Sequence, residues 1–115
     1  MTRGHTITVS PADRHVVIAV GGVKLAESDN ALVLEETGLP ARYYLPPQDV
    51  RIEYLQPTDT HTTCPFKGQA SYWSVQLGDQ VHKDVAWSYP EPIPSVSDIA
   101  GLLCFYAERV DQQLT

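Results

Sequence analysis

"HVVIAVGGVKLAES", His15–Ser28, decides the fold class. A run rich in β-branched side chains reaches Gly21-Gly22, and a second strand-like run follows at once. Glycine at both central positions supplies the positive φ angles of a two-residue hairpin turn, so the stretch reads as two antiparallel strands. Its neighbours are punctuated in the same way. "ALVLEE" (31–36) alternates Ala31, Val33 and Glu35 against Leu32, Leu34 and Glu36 before "TGLP" (37–40) breaks the run. "ARYYL" (41–45) ends at Pro46-Pro47, which cannot donate to a sheet ladder. "DVRIEYLQP" (49–57) reads as a further strand, with Val50, Ile52 and Tyr54 facing one way and Arg51, Glu53 and Leu55 the other. After a threonine-rich loop, "QASYWSVQL" (69–77) and "VHKDVAWSY" (81–89) form a second hairpin with its tip at "LGDQ" (77–80).

Only the tail changes period. Val96, Ile99, Leu102, Leu103, Tyr106 and Val110 recur at helical spacing, with Ser95 as N-cap and Asp98 three residues on in the manner of a capping box. The pattern predicts one amphipathic C-terminal α-helix closing a mainly antiparallel β domain.

At 115 residues the chain is one domain, residues 1–115, with no room for two independent cores. A hydrophobic fraction of 43% and a charged fraction of 19% are those of a folded protein. The formal charge of −6, with Lys and Arg scattered singly, argues against nucleic acid or an anionic membrane as partner. No apolar run approaches the ~20 residues of a membrane span, and the N-terminal residues lack the apolar core of a signal peptide. Two cysteines, Cys64 and Cys104, are too few for a stapled secreted scaffold, so a cytoplasmic setting with reduced thiols is expected.

Chemistry-bearing residues concentrate in "DTHTTCPFKGQASYWSV", Asp59–Val75. Structural zinc would take four ligands, usually from paired Cys-x-x-Cys knuckles. Here Lys67 stands where a second knuckle cysteine would fall, and the spacing of Cys64, Cys104, His61 and His82 does not favour a site. No metal and no cofactor are expected. Cys64 is a candidate nucleophile with Lys67 or His61 as the cation that lowers its pKa, set against a plain buried thiol at a loop–strand junction. "KGQAS" inverts the order of a phosphate-binding Gly-Lys-Ser/Thr and lacks its upstream glycine. Asp49, Arg51 and Glu53 recur along one strand face as metal-binding carboxylates would, or as a solvated charge ladder. Tyr72 and Trp73, being consecutive, point to opposite faces of their strand, whereas Trp87 and Tyr89 share one. One aromatic face is core, and the other is suited to line a pocket.

Five segments carry a resemblance to a known family: "AESDNALVLEE" (26–36), "RYYLPPQDV" (42–50), "TDTHTTCPFKGQASYWSV" (58–75), "AWSYPEP" (86–92) and "IAGLLCFYAERV" (99–110). In this order, from about Val16 to Val110, they resemble the DUF427 family of small bacterial and fungal proteins. The resemblance implies two antiparallel sheets in an Mss4-like, or β-tent, arrangement. Relatives of that fold often hold zinc on two Cys-x-x-Cys knuckles, which are missing here. A nucleotidyltransferase-like label is attached to the family, yet the Gly-Ser followed by paired Asp residues that would support it is absent. The positions matching the family pattern are Tyr44, Thr63, Cys64, Lys67, Gly68, Tyr72, Trp87 and Tyr89.

Together these readings predict a small-molecule-binding β domain. Its pocket is walled by Tyr44, Tyr72, Trp87 and Tyr89, with Cys64 and Lys67 as candidate catalytic residues at the rim. Lys67 supplies a cation for an anionic group, Gly68 permits close backbone approach, and Thr63 completes the ligand-binding set. The competing class is a non-enzymatic interaction module, a monomer or small homo-oligomer in which "CPFKG" is structural. The residues name no reaction.

Overall fold

The computed structural model of the chain describes residues 5–115. Among these described residues, ten strands form two antiparallel sheets. They are β1 (Ile7–Pro11), β2 (Val16–Val20), β3 (Val23–Ser28), β4 (Leu32–Glu36), β5 (Arg42–Leu45), β6 (Leu55–Cys64), β7 (Gly68–Leu77), β8 (Gln80–Ser88), β9 (Leu103–Phe105) and β10 (Asp111–Leu114). The larger sheet is open and ordered β1-β4-β5-β9-β8-β7-β6, and the smaller is β10-β2-β3.

Both hairpins form where glycine permits the turn. Val20 pairs with Val23 across Gly21 and Gly22, whose φ angles are +56° and +81°. Leu77 pairs with Gln80 across Gly78-Asp79. The segment 41–45 becomes β5, ending before the double proline.

The large sheet buries side chains on both faces. On one face Leu45, Val75, Ala86, Leu103 and Phe105 pack with Val16, Ile18, Val20 and Leu25 of the small sheet. On the other, Leu34, Tyr44, Ala70, Tyr72, Trp87 and Cys104 gather with Tyr89, Val96 and Ile99. The alternation along the strands divides the two sets: Tyr44 from Leu45, Tyr72 from Trp73, Ala86 from Trp87 and Cys104 from its neighbours.

Three expectations are corrected. The C-terminal α-helix is absent: Pro94–Ile99 forms 3-10 turns, Leu103–Phe105 is the central strand β9, and Asp111–Leu114 is β10 paired with β2. Leu103, Cys104 and Phe105 are all buried because β9 lies between β5 and β8 with apolar clusters on both faces. A strand covered on both sides reads as a continuous apolar run, which can also be fitted to a helical period. Gly101, with φ +72°, breaks the chain between the 3-10 turns and this strand. The predicted strand 49–57 also fails in its first half. Pro47–Asp49 and Ile52–Tyr54 are single 3-10 turns, and Ile52 is 60% exposed while Val50 is buried. Finally, the threonine-rich segment is no loop but the body of β6, ten residues long.

Candidate functional site

The turn between β6 and β7 is built by local rules. The Lys67 N–H donates to the Cys64 carbonyl at 3.1 Å, closing a four-residue turn with Pro65 and Phe66 at its corner. Proline fixes the φ that the second residue of such a turn needs. Gly68 follows at φ +116°, and a Cβ there would lie 3.3 Å from the Glu91 carbonyl oxygen and 3.4 Å from the Pro92 Cα. Glycine is required both by the backbone angle and by this close approach. The Ile93 N–H donates to the Lys67 carbonyl at 3.0 Å, clamping the 90–93 segment over the turn.

From that turn Lys67 folds inward. Its Nζ donates to Glu36 Oε1 at 2.5 Å, with the two side chains only 11% and 6% exposed. Glu36 is buried because it shares a face of β4 with Leu34. His5, stacked on Phe66 at 4.1 Å, places Nε2 3.3 Å from Glu36 Oε2 without hydrogen-bond alignment.

Beyond the ion pair lies a cavity of about 190 Å³, lined by Leu34, Glu36, Leu39, Pro40, Arg42, Tyr44, Lys67, Tyr72, Trp87, Tyr89 and Tyr106. Five of the sequence-derived candidates meet there: Tyr44, Lys67, Tyr72, Trp87 and Tyr89. Tyr44 and Trp87 meet edge to face, 6.3 Å between centroids at 88°, and the Trp87 indole N–H donates to the Tyr44 hydroxyl at 3.1 Å. The Tyr72 hydroxyl shares a hydrogen bond with Thr62 Oγ1 at 2.8 Å. Burial pushes the ionisation of Tyr44 and Tyr89 well above the ordinary phenol range. Tyr106 is pushed up to about 12, by burial and then by the neighbouring Tyr72 hydroxyl. The wall therefore offers neutral hydroxyls at physiological pH.

The remaining candidates stand outside the cavity lining. Cys64 is half-buried against the aromatic cluster, near enough to Tyr89 to disfavour its ionisation further. His61 and Cys64 are three residues apart in a regular part of β6, so they point to opposite faces and form no dyad. Thr63 is exposed on the His61 side. Gly68 contributes the backbone geometry described above. Cys104 is fully buried, and burial raises its thiol pKa far above the usual value. Among the described residues, no three His, Cys, Asp or Glu side chains gather as a metal ion requires. Asp49 instead accepts a hydrogen bond from Ser28 at 2.7 Å, while Arg51 and Glu53 are exposed.

Besides Glu36, the sequence reading missed three polar residues of this site. Arg42 lies over the rings of Trp87 and Tyr106, 5.3 and 5.6 Å from their centroids, and pairs with Glu108 through two hydrogen bonds of 2.9 and 3.3 Å. The Arg109 guanidinium also lies over the Tyr106 ring, 4.5 Å from its centroid. Thr62, not Thr63, reaches Tyr72. Strand alternation from Cys64 would have found Thr62 had the segment been read as a strand.

A search among curated proteins found no match. The model of a family described as a domain of unknown function, DUF427, matches residues 8–115. With nearly its whole length matched, the chain belongs to the DUF427 family.

Proposed function

We propose that this domain binds a small organic molecule in the aromatic cavity beside the Cys64–Gly68 turn. The observation that carries the reading is the convergence of Tyr44, Tyr72, Trp87, Tyr89 and Lys67 on one cavity of about 190 Å³. That is below the ~300–1,000 Å³ of pockets for drug-sized ligands, so the occupant is small. The walls are aromatic faces with neutral hydroxyls, and the charged groups are fixed by ion pairs. The reading assigns binding and no reaction. It keeps the cytoplasmic setting, with both thiols free, and the Mss4-like arrangement, supported by two antiparallel sheets around a shared core.

A thermal-shift screen of small metabolites tests it. A ligand that binds the native state raises Tm by mass action, by RT ln(1 + [L]/Kd) in free energy. Leu39 lines the cavity and is 58% exposed, so Leu39→Trp obstructs the mouth with little risk to the core. Hits that stabilise the wild type and not Leu39→Trp support the cavity. A screen whose every hit stabilises both alike sinks it.

One observation favours the second reading, an interaction module in which "CPFKG" is structural. Pro65, Lys67 and Gly68 each have a mechanical task in the turn, and the outer edge of the ten-residue β6 has no partner strand among the described residues. Such an edge suits a second copy of the chain. Sedimentation velocity that finds only monomer at high micromolar concentration removes this reading.

A further inference from the structure

The charged groups lining the cavity, Glu36, Arg42 and Lys67, are already matched. Lys67 holds Glu36, buried with it, and the two terminal nitrogens of Arg42 meet Glu108 outside the cavity. A charged occupant would enter without a counter-charge, which a buried setting penalises, so a neutral one fits. The spare hydrogen-bonding capacity lies in the hydroxyls. The Trp87 indole N–H is spent on the Tyr44 hydroxyl, and the Tyr72 hydroxyl is shared with Thr62. Tyr44 oxygen thus accepts, while its own proton has no acceptor among the described residues. Tyr89 is freer still. It is 6% exposed, lines the cavity, and its hydroxyl makes no hydrogen bond to any described residue. The oxygen is nevertheless reachable, because the side-chain atoms sealed away without a partner are those of His5 and His82. A buried hydroxyl with no protein partner is costly unless water or a ligand supplies one.

We propose that the cavity takes a small neutral carbonyl compound, whose oxygen accepts a hydrogen bond from the Tyr89 hydroxyl and, on its second lone pair, one from Tyr44. The two hydroxyls are neighbours: negative charge on Tyr89 would hinder ionisation of Tyr44. What the wall has left to give is O–H donors, and a carbonyl brings only lone pairs. An alcohol of the same size brings a proton as well, and the carboxylate that would accept it is held by Lys67 and faced by His5. Ketones, aldehydes and tertiary amides meet the description. This ligand class rests on the cavity-binding reading above, and the test separates the two.

Cyclopentanone, cyclopentane and the pyrrolidinium ion share one ring size and carry, in turn, an acceptor, no polar group and a charge. Each is titrated into ¹⁵N-labelled protein, to its solubility or about 20 mM, the range in which so small a ligand binds. Both indole N–H resonances are followed. Trp87 lines the cavity, and Trp73, on the opposite sheet face, reports binding on the other side. The expected result is a shift of the Trp87 resonance, with cyclopentanone binding more tightly than either analogue. Tyr89→Phe removes a hydroxyl that holds nothing in the free protein, so it keeps the wild-type Tm. It weakens cyclopentanone about two- to tenfold, the worth of one neutral hydrogen bond, and leaves cyclopentane unchanged. The ranking of the three probes on wild type stands as evidence without the variant. If cyclopentanone and cyclopentane move Trp87 with equal affinity, or Tyr89→Phe binds cyclopentanone as wild type does, the carbonyl assignment falls and the cavity reading stands. Tightest binding by pyrrolidinium overturns the neutral class, and so does a Trp87 resonance that no probe moves. Failure of the wider metabolite screen is a separate result, and it overturns the cavity itself.

Discussion

Lys67 and Glu36 are charged residues held where charges are seldom found, 11% and 6% exposed. The strand period places Glu36 beside Leu34 on the inner face of β4, and the β6–β7 turn brings the compensating ammonium. Each charge therefore depends on the other. Lys67→Met alone leaves a buried carboxylate without its counter-charge and costs about 3–5 kcal/mol. The double variant Glu36→Gln/Lys67→Met recovers most of that loss. Urea unfolding of the four proteins in the cycle measures the coupling, and strictly additive losses would disprove mutual dependence. For the same reason Lys67→Ala is a poor probe of ligand binding, because it changes stability first.

At the scale of elements, a charge cluster ties β2 to β3 near their ends. His15 Nδ1 lies 2.6 Å from Asp29 and Nε2 lies 2.7 Å from Glu27, which also receives Lys24 at 2.7 Å. The hydrogen bonds to Asp29, then to Glu27, raise the His15 pKa above 6.5. The bonds from Lys24 and His15 lower that of Glu27 below 4.5. For His15 the folded value is raised, so its contribution is full below about 6.5 and is lost as pH climbs through the folded value. For Glu27 the folded value is depressed, so its contribution is full above about 4.5 and is lost as pH falls through the folded value. The stability gap between wild type and His15→Asn is therefore widest from about pH 4.5 to 6.5 and narrows toward pH 9. A gap that stays constant from pH 6 to pH 9 would rule this out.

Elements also show what was legible in the sequence. Gly-Gly and Gly-Asp marked both hairpins because the turn itself demands positive φ. Tyr72 and Trp73 were assigned to opposite faces correctly, since alternation is a property of any strand. β9 was not legible as a strand: its burial on two sides comes from long-range partners that leave no alternation behind. Of the site, the aromatic wall and Lys67 were visible, and Glu36 and Arg42 were not. Arg42 pairs with Glu108 across 66 positions, a separation no local pattern encodes.

For the molecule as a whole, the double-faced sheet makes the short β9 its keystone. Three residues hold β5 to β8 and carry Leu103 and Phe105 into one core and Cys104 into the other. The aromatic cavity is walled from this sheet, by Tyr44 of β5, Tyr72 of β7 and Trp87 of β8, with Tyr106 following β9. Opening β9 would therefore dismantle the pocket and the core together. The two free thiols turn this into a clock. Cys64, half-buried at the turn, meets a thiol reagent in the native state, whereas Cys104 is wholly enclosed. Labelling of Cys104 should wait for the sheet to part, and its rate should climb with urea along the slope of global unfolding. Equal labelling of both thiols in plain buffer would show that the centre opens by itself. The chain thus contains one thiol at its rim and one at its centre, a natural pair of reporters that times how often the native protein comes apart without any engineered cysteine.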